Sequence, residues 1–292
     1  MLPIEHKPDE NNYFIDAESA TEMARLINQD RLFTENMGGL FPERNDVSSM
    51  HDILDIACGP GGWVLDVATA FPEIRAVGID ISHMMIEYAR ARAWSQGLNN
   101  ASFQFMNALE PLKFADDSFD MVNARSIFGF MPTTAWPGLI QECMRITRPG
   151  GIIRLTEFDT YGTTNSPAVE KINEIGLRAF KLAGMSFSPD GRSLGITPLL
   201  GRFLRDAGCI NIQRKAHAFD FSMGTVAHEA MYNNSQVVFK LSQPFMVKMK
   251  VATQEELDML YRQALGEMMS DDFCGVWFYL SAWGEKAVST SH

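Results

Sequence analysis

A short apolar run that ends in a cluster of glycines constrains the fold of this chain more than any other segment. The run is Ile53-Leu-Asp-Ile-Ala-Cys-Gly-Pro-Gly-Gly62. Its first half predicts a buried strand, and its glycines predict a turn whose backbone comes close to a ligand. A second apolar strand, Ala76-Val-Gly-Ile-Asp80, follows and ends in a carboxylate. This arrangement is typical of the nucleoside-binding half of a doubly wound α/β fold.

The glycine-rich turn departs from the patterns that bind phosphate groups. A dinucleotide turn, G-x-G-x-x-G, requires a third glycine at the position where this chain has Val64. The phosphate-binding pattern G-x-x-x-x-G-K-[ST] is not found in the sequence either. The strand before the turn carries Asp55, and a carboxylate beside a ligand attracts a cation and repels a pyrophosphate. The turn therefore predicts a ligand other than a dinucleotide.

Residues 53–157 resemble the class I S-adenosylmethionine (SAM) methyltransferases. Besides the turn, the matching motifs are Val77-Gly-Ile-Asp-Ile-Ser82, Phe105-Met-Asn-Ala108, Ser118-Phe-Asp-Met-Val122 and Arg148-Pro-Gly-Gly151. The motifs follow one another in the order and spacing of the family. The resemblance implies a seven-stranded, mostly parallel, doubly wound α/β sheet. It also implies SAM as the cofactor and S-adenosylhomocysteine (SAH) as the product.

The resemblance assigns cofactor contacts to individual residues of the turn and of the second strand. Gly59 and Gly61 would let the backbone pass the methionine part of SAM, where a Cβ atom would clash. Asp80 would accept hydrogen bonds from both ribose hydroxyls, because a carboxylate has two acceptor oxygens. Ile81 and Met85 would enclose the adenine ring.

Further contacts follow the third and fourth strands. Asn107 stands where the family usually has an aspartate that contacts the adenine amino group, and its amide oxygen can still accept from that amine. We therefore expect SAM binding to be retained. The other residues that the resemblance places at the cofactor are Ala57 at the turn, Ala108 and Leu109 beside the adenine, and Asn123, Ala124 and Arg125 at the methionine end and the transferred methyl group.

The chain is expected to divide into four parts. Residues 1–45 form an N-terminal helical lid, in which the spacing of apolar residues predicts a helix over 17–37. Residues 46–221 form the SAM-binding domain, 222–272 a helical cap inserted before the last strand, and 273–292 the last strand and tail. Tyr13 and Gln29 are candidates for lid contacts to the cofactor, the alternative being a packed helix with a surface tyrosine. The cap contains seven methionines, which suit either a bulky apolar substrate or ordinary helix packing.

Charge and cysteine usage limit the partners that we expect. Lys and Arg number 25 against 36 Asp and Glu, a net charge of −11, which argues against nucleic acid as a partner. The four cysteines are isolated from one another, as in a reducing cytoplasm. No signal segment and no apolar run long enough to span a membrane is found in the sequence. We expect a cytoplasmic monomer or homodimer with no membrane partner and no metal site.

The sequence favours methyl transfer to a small, apolar metabolite, on an oxygen, nitrogen or carbon atom. The D/N-P-P-Y motif of the class members that methylate amino groups of DNA and proteins is replaced by Arg125-Ser-Ile-Phe-Gly-Phe-Met131, whose apolar residues could form an acceptor pocket. Alternatives are an enzyme that uses bound SAM for a rearrangement or cyclisation, and a non-catalytic SAM-binding module.

A base is needed only if the methyl acceptor starts protonated. Glu157, near the end of the fifth strand, is the first catalytic candidate. The remaining candidates are Asp159, Tyr161, His217 and His228.

Overall fold

The computed structural model describes residues 13–44 and 46–288, which form a mixed β-sheet with helices on both faces. The strands are β1 (Asp52–Ile56), β2 (Arg75–Asp80), β3 (Ala101–Phe105), β4 (Phe119–Arg125), β5 (Thr147–Glu157), β6 (Thr163–Thr164), β7 (Ile210–Asp220) and β8 (Gly275–Glu285). The helices are α1 (Ala20–Met37), α2 (Gly62–Ala70), α3 (His83–Ser95), α4 (Trp136–Ile146), α5 (Pro167–Leu182), α6 (Thr197–Asp206), α7 (His228–Leu241), α8 (Gln243–Lys248) and α9 (Gln254–Met268).

The order of the strands confirms the predicted fold class. Strands β3, β2, β1, β4 and β5 lie side by side and run parallel. Strand β8 pairs antiparallel with β5, and β7 pairs antiparallel with β8. The two-residue strand β6 also pairs with β8 and adds an eighth strand that the resemblance did not imply. Parallel neighbours joined through helices bring the carboxyl ends of β1, β2, β3 and β4 to one edge of the sheet, where ligands bind in this kind of fold.

Consecutive residues of β1 point into different hydrophobic cores. Ile53 packs with Trp63 of α2 and Ile86 of α3, whereas its neighbour Leu54 belongs to the larger core that contains Trp136 of α4. Successive side chains of a strand point to opposite faces of a sheet. Because both faces are covered, the strand has apolar residues on each of them, and Ile53, Leu54 and Ile56 are fully buried.

Strand β5 begins at Thr147, directly after α4, and includes the Arg148-Pro-Gly-Gly151 motif. The register between β4 and β5 shifts in this region, because Phe119 is opposite Thr147 while Met121 is opposite Ile152. Backbone hydrogen bonds between this segment and Lys286, which follows β8, hold the segment as an irregular extension of the sheet.

Helix α1 lies over the ligand-binding edge and is anchored before its first turn. Ser19 caps the helix by accepting from the Glu22 amide, and Gly38, with φ +94°, ends it. Just before the helix, the Glu18 carboxylate accepts from the backbone amides of His83 and Met84 at the start of α3. A carboxylate at a helix N-terminus is stabilised by the unpaired amides there. The segment before α1 is thereby held next to the end of β2.

The segment 222–272 is helical, as predicted, and its helices α7, α8 and α9 pack against α1 and α5. Its methionines have mixed environments: Met231 and Met268 are buried in the core, while Met259 and Met269 are exposed. Packing between helices, one of the two readings of the methionine content, therefore accounts for the buried pair. Within the described residues, every helix is too short or too polar to cross a membrane.

Candidate functional site

One large cavity opens at the carboxyl ends of β1, β2 and β4, beneath α1. It holds about 1440 Å³ of empty space, its open mouth included. Of the sequence-predicted site residues, those that line the cavity are Tyr13, Gln29, Ala57, Gly59, Asp80, Ile81, Met85, Asn107, Ala108, Leu109, Arg125 and Tyr161.

The Asp80 carboxylate is fixed at the end of β2 by backbone amides. Its Oδ2 accepts from the Gly59 amide at 2.9 Å, and its Oδ1 accepts from the Ser82 amide at 2.9 Å. Burial raises the pKa of Asp80, while these amide hydrogen bonds lower it. Because a carboxylate oxygen can accept more than one hydrogen bond, each oxygen keeps an acceptor position for a ligand hydroxyl.

A largely apolar pocket follows β2 and β3, beside Asp80. Met85 is buried, and Ile81, Ala108 and Leu109 complete the lining. Asn107 lies at its edge, where its Oδ1 accepts from the Leu109 amide at 3.0 Å. That oxygen retains one lone pair for a further donor.

The turn after β1 uses backbone conformations that favour glycine. Gly59 has φ +52° and Gly61 has φ +80°, and Ala57 adopts φ 55° although it carries a Cβ atom. A non-glycine residue in the left-handed region costs roughly 1–2 kcal/mol, so Ala57 stores strain at the cavity wall. The role of Gly61 differs from the one expected, because a Cβ there would collide with the Phe103 ring and not with the cavity. Gly61 allows α2 and α3 to pack closely.

Charged side chains gather between the turn and α1. Asp30 of α1 pairs with Arg125 and lies so close to Gly62 that a Cβ at Gly62 would meet its carboxylate. Arg125 also donates to Thr34 Oγ1 at 3.0 Å. Burial lowers the pKa of Arg125 to about 10, which leaves it charged at neutral pH. Burial raises the pKa of Asp55 to about 7, although the hydrogen bond from Asn123 opposes this shift.

Asn123 and Ala124 were expected at the methionine end, but the structure places neither at the cavity wall. Asn123 is buried in the sheet, where it donates to Asp55 at 2.7 Å and accepts from Arg154 Nε at 2.8 Å. It positions Asp55 and does not itself face the cavity. Ala124 is buried in the larger hydrophobic core, the one that contains Leu54 and Trp136.

Glu157 also lies behind the cavity wall, contrary to its expected role as a base. Its side chain is 1% exposed, and its Oε1 accepts from the Ile127 amide at 2.7 Å. Burial raises the pKa of Glu157 well above its usual range. A carboxyl that lies behind the wall is not positioned to take a proton from an acceptor in the cavity.

All but one of the other acid–base candidates lie outside the cavity lining and bond other groups of the protein. Asp159 accepts from the Ile196 amide at the start of α6, His217 contacts Ser281, and His228 Nδ1 lies 3.1 Å from the Phe221 carbonyl oxygen. The exception is Tyr161, which lines the cavity. Burial raises the pKa of Tyr161 above its usual value, so its hydroxyl keeps its proton.

The end of the cavity away from Asp80 is an aromatic chamber, which we define by Phe14, Phe33, Phe128, Phe130, Phe158, Tyr161 and Trp277. Phe128 packs edge-on against Phe158 with ring centroids 4.7 Å apart, and Phe158 against Trp277 at 5.1 Å. Sequence analysis identified Phe128, Phe130 and Tyr161 but missed the others. Phe14, Phe33 and Trp277 lie before α1, on α1 and on β8, far from the motifs in sequence, whereas Phe158 directly follows β5.

A polar network connects α1, which forms the roof of the cavity, to α7 of the helical segment 222–272. Arg25 of α1 pairs with Glu22 at 2.7 Å through Nε, also bonds Gln29, and donates to Asn234 of α7 at 2.9 Å. Tyr13 donates to Glu22 at 2.8 Å. Burial and the nearby Glu22 carboxylate raise the pKa of Tyr13 well above its usual value. The network ties α1 to α7 across the cavity.

Ser126 is a site residue that the sequence gave no reason to select. It follows β4 with φ 56°, lines the cavity, and its buried Oγ has no hydrogen-bond partner within the described residues. Strain and an unpaired hydroxyl at one position are features of ligand-binding sites. Among the described residues, no group of three or more His, Cys, Asp or Glu side chains is arranged to hold a metal ion.

Comparison with known proteins agrees with this geometry. A family described as "Methyltransferase domain" matches residues 53–151. The methyltransferase GfsG of Streptomyces halstedii is 33% identical, over 46% of this chain and 47% of that protein. The 27-O-demethylrifamycin SV methyltransferase of Amycolatopsis mediterranei is 32% identical, over 53% and 55%. This chain thus spans about half the length of the curated relatives it matches.

Solved structures extend the similarity of the fold beyond the matched domain. A phosphoethanolamine N-methyltransferase 2 of Haemonchus contortus, solved with SAH, superposes with a TM-score of 0.57 at 18% identity, over 94% of this chain and 60% of that chain. The matched domain contains the strands and turns that build the cofactor end of the cavity, and the family uses SAM as its cofactor. Residues 53–151 thus match a methyltransferase domain, within a chain that has the fold of the class I SAM-dependent methyltransferases.

Proposed function

We propose that this protein transfers the methyl group of SAM to an oxygen, nitrogen or carbon atom of a small, apolar metabolite. The observation that carries the proposal is the continuity of the cavity, in which Asp80 lines one end and the aromatic chamber the other. A cofactor held by its ribose at Asp80 would extend toward the chamber. An apolar acceptor in the chamber would then meet its methyl group.

The charges at the cofactor end fit SAM, which carries a sulfonium, an ammonium and a carboxylate group. The carboxylates of Asp30, Asp55 and Asp80 line this end of the cavity and would attract the two cations. Arg125 has the opposite charge and retains guanidinium N–H groups besides those that bond Asp30 and Thr34. It is the residue that we assign to the SAM carboxylate.

The aromatic chamber fits an apolar acceptor. Its rings provide a wide apolar surface, and Tyr161 adds one hydroxyl that can orient a polar atom of the acceptor. One of the relatives described above is named for an organic acceptor, 27-O-demethylrifamycin SV, which supports a metabolite as the substrate. Protein and nucleic acid substrates would need an open surface at the chamber, whereas α1 and α7 cover it.

Positioning accounts for most of the catalysis that this site can offer. SAM supplies a methyl group on a positively charged sulfur that departs as a neutral thioether. The protein needs to hold the acceptor atom in line and to exclude water, and such positioning is worth several kcal/mol. The roof helix α1 and the chamber rings perform both tasks. The raised pKa of Tyr161 makes it a hydrogen-bonding group and not a base.

Calorimetric titration with SAM and SAH, with NAD as the control, tests the first half of the proposal. We expect micromolar binding of SAM and SAH and none of NAD. The second half is tested by following SAH formation with a panel of lipophilic alcohols, amines and phenols. Binding of SAM without SAH formation from any of these acceptors would favour a non-catalytic module. Conversion of a compound to a rearranged or cyclised product, with SAM left unconsumed, would favour a rearrangement or cyclisation.

A further inference from the structure

A second, smaller cavity lies beside the aromatic chamber, between α5, α7 and α8. Its empty space is about 330 Å³, its opening to solvent included. Phe14, Tyr161 and Val238 line both cavities. These side chains, together with Phe180, whose ring packs against Phe14 and Phe128, lie between the chamber and the second cavity. A chain of atoms that passed between the rings of Phe14 and Tyr161 would enter both.

The second cavity contains a buried amide without a partner. Asn173 of α5 is 6% exposed, lines the cavity, and its Nδ2 has no hydrogen-bond partner within the described residues. A buried N–H group that lacks an acceptor is costly, and nearly all such groups in folded proteins are paired. Phe180, Phe245 and Met246 around it are apolar, and the hydroxyl groups of Ser242 and Tyr161, which also line the cavity, do not bond this amide.

A glycine in the middle of α5 contributes to the space in this cavity. Gly176 lies one turn from Asn173, on the same face of the helix, and lines the same cavity. A Cβ at this position would lie 3.2 Å from Met246 Cε. Glycine weakens a helix interior relative to alanine, and here it leaves open the space that a side chain would reduce.

We propose that this second cavity, which we call the tail pocket, binds the far end of an elongated acceptor. The acceptor would be apolar along its length and would carry an oxygen that accepts a hydrogen bond from Asn173, such as a ketone, ether or hydroxyl oxygen. Its methylated end would lie in the aromatic chamber, so this assignment rests on the proposed function. Its body would pass between Phe14 and Tyr161.

The test uses SAH-saturated protein and two probes of equal chain length, a medium-chain linear methyl ketone and the corresponding chloroalkane. The ketone oxygen is a good acceptor and the chlorine a weak one. Calorimetry should show that the wild-type protein binds the ketone about tenfold more tightly than the chloroalkane, because only the ketone oxygen accepts a hydrogen bond from the Asn173 amide. Asn173→Leu should remove this preference and leave chloroalkane affinity unchanged.

Gly176→Val fills the tail pocket and should weaken both probes. If that variant fails to fold, Ser242→Leu fills the same pocket from the start of α8. The proposal would be overturned if the ketone bound equally well to the wild type, to Asn173→Leu and to a correctly folded Gly176→Val or Ser242→Leu protein. It would also be overturned if the wild type did not bind the ketone. Failure of SAH to bind would count against the proposed function alone, because the probe titrations can be made without it.

Discussion

The two ends of the cavity are built in opposite ways. The cofactor end consists of short segments that directly follow parallel strands, with Gly59 after β1, Asp80 at the end of β2 and Asn107 after β3. The aromatic chamber is assembled from the segment before α1, the ends of β4 and β5, and β8, with Trp277 more than 260 positions after Phe14. The sheet alone places the first end, whereas the second depends on long-range packing.

This difference explains what the sequence could and could not predict. Asp80 could be predicted because an acidic residue that ends an apolar strand is a recognisable local pattern, and the sheet topology fixes its position. Trp277 lies in an apolar strand where nothing distinguishes it from a core residue. Asn123 was expected at the cavity wall but lies deeper in the sheet than Arg125, and its amide bonds Asp55 and Arg154. Glu157 is held behind the wall by the Ile127 amide. The motifs do not indicate how far along each strand the cavity reaches.

The sequence also did not predict the local backbone conformation of the site or its long-range contacts. Ser126 has no glycine or proline neighbour that would mark its positive φ, and its unpaired hydroxyl is a property of the folded site. The link from Arg25 to Asn234 joins residues 209 positions apart. No local pattern predicts such a pair, although its two helices were each predicted.

Removal of Arg25 should have the largest effect, a loss of unfolding free energy, and tests whether the polar network between α1 and α7 holds the two helices over the acceptor end. Arg25→Met leaves the Glu22 carboxylate, which is 0% exposed, without its ion-pair partner. Breaking a buried pair in this way costs about 3–5 kcal/mol of unfolding free energy. Urea unfolding measures the loss. The double variant Glu22→Gln/Arg25→Met should recover part of it, and equal stability of all three proteins would contradict the role of the network.

Asp80→Ala should cripple the cofactor end alone. Two hydrogen bonds to a carboxylate are lost at about 1.5–3 kcal/mol each, so SAH affinity should fall by at least about a hundredfold in a calorimetric titration. Asp66→Ala, at an exposed position on α2, is the matched control and should bind SAH normally. Unchanged affinity of Asp80→Ala would remove the ribose assignment.

Phe130→Ala should affect the acceptor end alone. Phe130 is half-buried and lines the chamber, and loss of its apolar contact, worth about 1–2 kcal/mol, should lower kcat/KM for an apolar acceptor about tenfold. SAH affinity should stay constant. The control is Phe278→Ala, because Phe278 is 55% exposed on β8. A parallel fall in SAH affinity would show that the two ends are not separable.

The smallest effect concerns the charge of Asp55, whose pKa is raised to about 7. The carboxyl is neutral below this pH and ionised above it, and only the ionised form attracts the sulfonium of SAM, which SAH lacks. The ratio of SAM to SAH affinity should therefore rise several-fold as pH increases through about 7. Asp55→Asn should give a ratio that does not change with pH. A pH-dependent ratio in that variant would assign the titration to another group.

Helix α1 covers both ends of the cavity, since Asp30 approaches the turn after β1 while Phe33 lines the chamber. One rigid element cannot uncover one end and leave the other closed. We therefore expect both ends to open in one step, so that SAM and the acceptor add, and SAH and the methylated product depart, in random order. Initial-rate and product-inhibition patterns in steady-state kinetics would distinguish random from compulsory order.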